Sequence, residues 1–339
     1  MAAVLPIHRH PWLWPGLASL LVFSALLSIA TGPVTIGLSD IIDSLFGSVA
    51  AGQEANALIV QNVRLPRTLL ALIVGALLAQ CGAVMQGLFR NPLADPGIIG
   101  VSSGAALGAA ICIVLLPHLG SYAVPLGAFL CGLATSLLVY RLATSGGSTS
   151  VVLLLLAGVA ITALAGAGIG MLTFLANDMA LRDLSLWQLG AIAGASWQSV
   201  FICLPVLALV SWQFNKQALA LNALLLGESE ARHLGIEVDR LKLKLILLCS
   251  LGVGVAVAAT GIIGFIGLVV PHLVRLLKGP DHRQLLPLSA ILGAVLLALA
   301  DSGARTLMSP AEIPVGLMTA LLGAPFFLYL LLSQRRKLY

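Results

Sequence analysis

The chain has 339 residues, 59% of them hydrophobic and only 9% charged, with 35 glycines and a formal net charge of +5. A water-soluble fold of this composition would expose large contiguous apolar areas, which soluble chains do not tolerate. A bilayer accepts them, and the basic balance shows no cluster interleaved with aromatics of the kind that binds nucleic acid.

Crossing about 30 Å of hydrocarbon takes about 20 residues at 1.5 Å rise per residue. Ten apolar runs meet that need in chain order: Trp12 to Thr31, Thr68 to Leu88, Gly97 to Leu116, Tyr122 to Tyr140, Val151 to Leu175, Ser199 to Phe214, Leu243 to Ala259, Ile262 to Leu277, Leu285 to Ala300 and Pro314 to Leu332. The seventh and eighth form one apolar stretch of 35 residues from Leu243 to Leu277. As a single helix it would be roughly 52 Å long, so it is expected to fold back near Thr260 and Gly261. The expected fold is therefore all-α: a polytopic membrane protein with about ten transmembrane helices.

With the spans alternating from a cytoplasmic N-terminus, 14 of the 18 cations fall inside, among them Arg9, Arg90, Arg141, Arg240, Arg275, Arg336 and Lys337. Only Arg64, Arg67, Arg182 and Arg305 fall outside. This is the bias of a correctly oriented helical membrane protein, and it places both termini in the cytoplasm. His8 to His10, an apolar stretch and Ser28-Ile29-Ala30 also fit a cleavable signal peptide; the first run is read as an uncleaved helix.

Cys81, Cys112, Cys131, Cys203 and Cys249 all lie in apolar runs without ligand spacing and read as small core residues. Gly100, Gly104 and Gly108, and Gly166 with Gly170, have helix-packing spacing. No interruption is long enough for a soluble domain, so residues 1–339 form a single transmembrane domain with an inner loop at about 227–240.

Intramembrane catalysis needs a constellation at depth, yet no HExxH pair, GxS-type nucleophile with its partners, or paired carboxylates occur in the spans. Ion coupling needs an intramembrane charge, and none is obvious. A phosphate-binding GxxxxGK[ST] loop is absent too, so an ATP-driven process requires ATP and Mg bound on a partner. The inner loop "GESEARHLGIEVDR" suits such a partner. A short helix from about Ser229 to Leu234, closed by Gly235, is expected to present Ala231, Leu234 and Ile236 beside charges of both signs.

Three blocks carry a family resemblance: "RLPRTLLALIVGALLAQCGAVMQGLFRNPLADPGIIGVSSGAALG" from Arg64, "LLLGESEARHLG" from Leu224, and "GIIGFIGLVVPHLVRLLKGPDHRQLLPLSAILGAVLLALADSGARTLMSPAEIPVGLMTALLGAPFF" from Gly261. A weaker fourth is "LWQLGAIAGASW" from Leu186. In these the chain resembles permeases of the FecCD-type family, which take up iron chelates, haem and cobalamin as the membrane subunits of binding-protein-dependent ABC importers.

The resemblance implies a ten-helix transport subunit, not an enzyme, pairing with a copy of itself in the bacterial inner membrane. Two ATP-binding cassette subunits are then expected inside and a periplasmic substrate-binding protein outside, with the cargo moved by alternating access. It implies an ATPase-coupling role for Glu228, Ser229, Glu230, Ala231, Arg232, Leu234 and Gly235. Arg64, Arg67 and Arg305 are the expected docking cations for carboxylates of the binding protein. Asn91, Pro92 and Leu93 belong to an expected cytoplasmic gate, with Ser148 to Ser150 as a further candidate; a purely structural turn is the alternative. Pro271, His272, Arg275, Asp281, His282 and Arg283 are read as loop organisers rather than metal ligands, and Asp301 and Glu312 as local partners of Arg305. Arg182, at the expected substrate mouth, either meets an anionic cargo group or pairs with Asp178 or Asp183. Haem is the favoured cargo, then ferric siderophore, then cobalamin; an ion-coupled secondary transporter is the rival class.

Overall fold

The computed structural model describes residues 12–46, 53–145 and 148–335. His8 to His10, Arg9, Arg336 and Lys337, which bear on the reading of the termini, lie outside the described residues. The chain runs through α1 (Leu13–Ala30), α2 (Leu38–Phe46) and α3 (Glu54–Ile59), then one π turn into α4 (Leu65–Leu88). A 3-10 turn, Pro96–Ile99, leads to α5 (Val101–Leu115) and α6 (Ala123–Ala143). Next come a hairpin of β1 (Thr144–Ser145) and β2 (Ser148–Thr149), then α7 (Val151–Leu175), α8 (Asp178–Leu189), α9 (Trp197–Lys216), α10 (Ala218–Leu226) and α11 (Glu228–His233). The last four are α12 (Val238–Thr260), α13 (Ile266–Lys278), α14 (His282–Thr306) and α15 (Val315–Arg335).

Among the described residues seven helices are long and apolar enough to cross a membrane: α1, the continuous rod Glu54–Leu88, α6, α7, α9, α12 and α14. Val101–Leu115 and Val315–Tyr329 are apolar but shorter. The ends have local causes. Ser150, Asn177, Ser196 and Asp281 each accept a hydrogen bond from a free backbone N–H at the start of α7, α8, α9 and α14. The expected fold-back occurs after Thr260, where Gly261 takes φ +69°, a left-handed turn that glycine adopts without strain. Residues 261–265 then run non-helically into α13, which has only 13 residues.

α4 is the centre of the bundle. Its most apolar stretch is 89% buried, against 17% for α1 and α7. Glycine makes this possible: a Cβ on Gly75 would lie 2.3 Å from the Gly293 carbonyl oxygen, and one on Gly82 1.9 Å from that of Gly267. α4 therefore packs backbone against backbone on α14 and α13. Gly104 and Gly108 hold α5 against α6 in the same way, at Thr135 and Gly127. Gly166 and Gly170 do not follow the expectation of packing within the chain; a Cβ on either would meet nothing within 4 Å. Because lipid tails are as apolar as leucine, hydrogen bonds add cohesion that apolar burial does not. Ser28 meets Thr68 at 2.7 Å, Ser211 donates to Gln80 at 2.7 Å, and Ser136 donates to Ser250 at 2.6 Å. Each such bond contributes about 0.6 to 1 kcal/mol.

Candidate functional site

Two ends of the bundle carry the polar chemistry. At one, α11 stands between α10 and α12. Its C-terminus is a Schellman closure: Ile236 N–H donates to the Ala231 carbonyl at 3.1 Å and Gly235 N–H to the Arg232 carbonyl at 2.9 Å, with Gly235 at φ +83°. Ser229, Glu230, Arg232, His233 and Gly235 are exposed, and Leu234 is 65% exposed. Ala231 corrects the expected surface. It is fully buried and faces the bundle, so α11 is fastened through it, while Leu234 is the apolar residue that projects and Ile236 is half-buried.

Glu228 turns toward α12, where its Oε1 lies 2.7 Å from Lys242 Nζ. Lys242 is 1% exposed and donates to the Thr149 carbonyl at 2.7 Å. Asp239 accepts from the Thr149 N–H at 3.1 Å and from Arg232 at 2.8 Å. Thr149 belongs to the hairpin that opens α7, pairing with Thr144 across it. The turn after α4 sits at the same end: Asn91 Oδ1 accepts from Leu93 N–H at 2.9 Å around Pro92, and Asn91 and Pro92 are exposed. Arg90 enters this turn at φ +49°, and its guanidinium lies 3.8 Å from where a Gly227 Cβ would be, joining the turn to the start of α11. The capping of a helix by Asn91 is replaced by this Asx-type turn, since α4 has already ended at Leu88.

His272, Arg275, Asp281, His282 and Arg283 also gather here. Asp281 caps α14 and accepts from Asn222 at 2.7 Å and Arg283 at 2.8 Å. The Arg283 guanidinium, with Asn222 and the cap N–H, holds its carboxyl down at about 2. His272 meets Phe326 edge-on. Among the described residues no group of three metal-ligating side chains forms.

At the opposite end, Arg64, Arg67 and Arg305 come together from α4, its preceding turn and α14. They are only 3%, 6% and 2% exposed, so they line a recess rather than stud a surface. Asp301, fully buried, accepts from Arg67 Nη2 at 2.9 Å and pairs with Arg305 Nε at 3.2 Å. Glu312 takes the other side of Arg67 at 2.9 Å. The expected pairing of Asp301 and Glu312 with Arg305 is thus half of the pattern, because Arg67 holds both carboxylates. Among the described residues Arg64 has no carboxylate partner; it donates to the carbonyls of Ile29 and Ala30 at the end of α1 and of Val34 beyond it. Three guanidiniums against two carboxylates leave one excess positive charge. A cavity of about 210 Å³ opens onto all three arginines and Glu312, walled by Gly32, Pro33 and Val63.

Also at this end, a cavity of about 410 Å³ lies between α8, the starts of α6 and the ends of α5 and α12, lined by Asp183, Trp187, Val124 and Thr260 among others. Arg182 on α8 is exposed, and no ion pair to Asp178 or Asp183 forms. Sequence reasoning missed Lys242, Asp239 and Thr149. The only signal was an aspartate and a lysine shortly before the seventh apolar run.

Residues 20–333 match the FecCD transport family. The hemin transport system permease protein HmuU of Yersinia pestis is 50% identical over 280 residues, covering 81% of this chain and 84% of that one. The cobalamin import system permease protein BtuC of Halobacterium salinarum is 46% identical, covering 82% and 74%. A solved structure classed as a metal-chelate type ABC transporter, in an inward-facing conformation, superposes with a TM-score of 0.86 at 34% identity over 96% of this chain and all of that one.

Proposed function

The chain belongs to the FecCD transport family, and on that premise we propose that it is the permease subunit of an ATP-driven importer for a metal chelate, with haem as cargo. It crosses the bacterial inner membrane ten times with both termini in the cytoplasm and works as a pair with a second copy. The observation that carries the reading is the 50% identity, over 81% of the chain, to a hemin permease. It is supported by a surface helix, α11, built to be gripped from outside on a chain that has no nucleotide-binding motif of its own.

In this reading two ATPase subunits, one on each copy, hold α11 through Leu234, Ser229, Glu230 and Arg232, while Glu228 and Ala231 fix it to the bundle and Gly235 closes its end. Binding and hydrolysis of ATP on those subunits, with Mg, bias the permease pair between outward-open and inward-open states. Asn91, Pro92 and Leu93 close the cytoplasmic end. Outside, the periplasmic binding protein docks by inserting a carboxylate into the cavity lined by Arg64, Arg67 and Arg305. Their excess positive charge and the carboxylate-free Arg64 suit that partner, and orientation is set by charge. Arg182 meets an anionic edge of the cargo at the mouth. Among the described residues no group of three ligating side chains is there to take the metal; α7 exposes Val152, Val159, Leu164, Met171 and Phe174, an apolar wall that releases rather than holds a bulky chelate.

Titration of the cognate binding protein with haem, a ferric siderophore and cobalamin tests the cargo. Saturable haem absorbance changes with no response to the other two are expected. Binding of siderophore or cobalamin alone transfers the assignment to that chelate, and uphill accumulation by vesicles holding only this chain would return it to an ion-coupled transporter.

A further inference from the structure

The contacts between α11 and the start of α7 form a connected path that nothing in packing alone requires. Thr149 is 4% exposed and lies immediately before Ser150, the cap of α7. Both its backbone groups are taken by the first turns of α12: Asp239 accepts from its N–H at 3.1 Å, and Lys242 donates to its carbonyl at 2.7 Å. The same two side chains hold α11, Lys242 through Glu228 at 2.7 Å and Asp239 through Arg232 at 2.8 Å. α11 and the hairpin are therefore joined twice, each time through one charged side chain of α12.

From this geometry we infer that Lys242 and Asp239 are positioning residues that transmit the movement of α11 to the hairpin Thr144–Thr149 and so to the N-terminus of α7. The inference rests on α11 being the ATPase contact. A backbone clamped at both N–H and carbonyl cannot shift without its clamps, whereas side-chain packing would let the hairpin slide. A buried lysine is costly to keep for packing, since an apolar side chain of similar length fills the same space without desolvation. Its single carboxylate partner sits on the element that must move. The two connections differ in depth: Lys242–Glu228 is the sheltered one, and Arg232–Asp239 is half-exposed and so weaker.

The test uses the full complex of permease pair, ATPase subunits and binding protein in proteoliposomes. The variants are Glu228→Ala, Lys242→Met and the double. Two quantities are read: cargo moved per ATP hydrolysed, and the nucleotide-dependent change in distance between spin labels at Ser148→Cys of the two protomers, in a Cys131→Ala background. Ser148 is exposed on the hairpin and takes a label. Each single variant is expected to lower the cargo-to-ATP ratio about tenfold and to reduce the label movement, the weaker Arg232–Asp239 connection carrying what remains. The double is expected to be no worse than either single, because both cut one connection. Lys242→Met that fails to assemble leaves Glu228→Ala, whose partly exposed side chain is replaceable, to decide. A proportional loss of transport and hydrolysis with label movement intact overturns the inference, as does an unchanged ratio in both singles. If the unmodified chain assembles with no ATPase, the reading of α11 fails and this inference falls with it, an outcome visible before any variant is made.

Discussion

Asp301→Asn is the sharpest perturbation of the fold available in this chain. Asp301 is fully buried and serves two guanidiniums, Arg305 one turn along its own helix and Arg67, 234 residues away on α4. The amide keeps the shape but removes the charge. Arg67 then retains Glu312 at 2.9 Å. Arg305, 2% exposed, loses its one carboxylate and keeps the carbonyls of Ser28, Thr31 and residue 301 and two serine hydroxyls, all neutral. Stripping a partner from a buried pair costs about 3–5 kcal/mol, mostly the penalty of the charge left behind. The surviving Glu312 contact spares one arm, so about 3 kcal/mol is expected. Denaturant titration of the detergent-solubilised protein, read by tryptophan fluorescence, gives the difference. A second variant, Asp301→Leu with Arg305→Met, removes both charges and is expected to recover at least half of the loss. An Asp301→Asn protein within about 0.5 kcal/mol of the unmodified one, or a double variant worse than the single, refutes the reasoning.

Gly82→Ala is expected to abolish folded yield in membranes, because its Cβ would stand 1.9 Å from the Gly267 carbonyl oxygen and force α4 from α13. Gly166→Ala, where the space is open, is expected to express at the level of the unmodified chain, and size-exclusion recovery compares the two. Asp281→Asn tests the cap of α14. The folded pKa of about 2 lies below the usual value of 3.8, so the carboxylate's contribution is present above pH 4 and is lost as the pH falls toward 2. The melting difference between the unmodified protein and Asp281→Asn is therefore expected at pH 6 and smaller at pH 3, and a difference that grows on acidification counts against the assignment.

Much of this fold was legible because its signals are local. Run length found the helices, and Gly261 marked the fold-back that Thr260 ends. Gly235 announced the closure of α11 within a residue. Helices α2, α3 and α10 were not read, since their short amphipathic or apolar stretches lie inside segments that look like loops. The sites were legible by residue type but not by direction. Arg64, Arg67 and Arg305 were visible as cations on the wrong side for spare arginine, yet Arg67 turns inward to Asp301, 234 residues away, and Arg64 to backbone carbonyls at and after the end of α1, neither of which sequence spacing announces. Ala231 was given the wrong face because a six-residue helix has too few positions to define one. Lys242 and Asp239 have partners nearby in sequence on α11, but the approach of a hairpin 90 residues upstream, which makes them a link, left no pattern to read.

The bend after Thr260 has a consequence for what surrounds the bundle. α12, with 23 residues, rises about 35 Å, whereas α13, with 13, returns only about 20 Å. Residues 261–265 must cover the remaining height as non-helical chain, at a depth where acyl tails offer their peptide groups no hydrogen bonds. Lipid is therefore barred from that flank, and only water or polypeptide can stand beside it. Polypeptide is what stands there: the Ile262 carbonyl abuts Gly190 and Gly316 and the Phe265 side chain abuts Gly323, so the gap left by a helix that stops short is filled by the end of α8 and by α15.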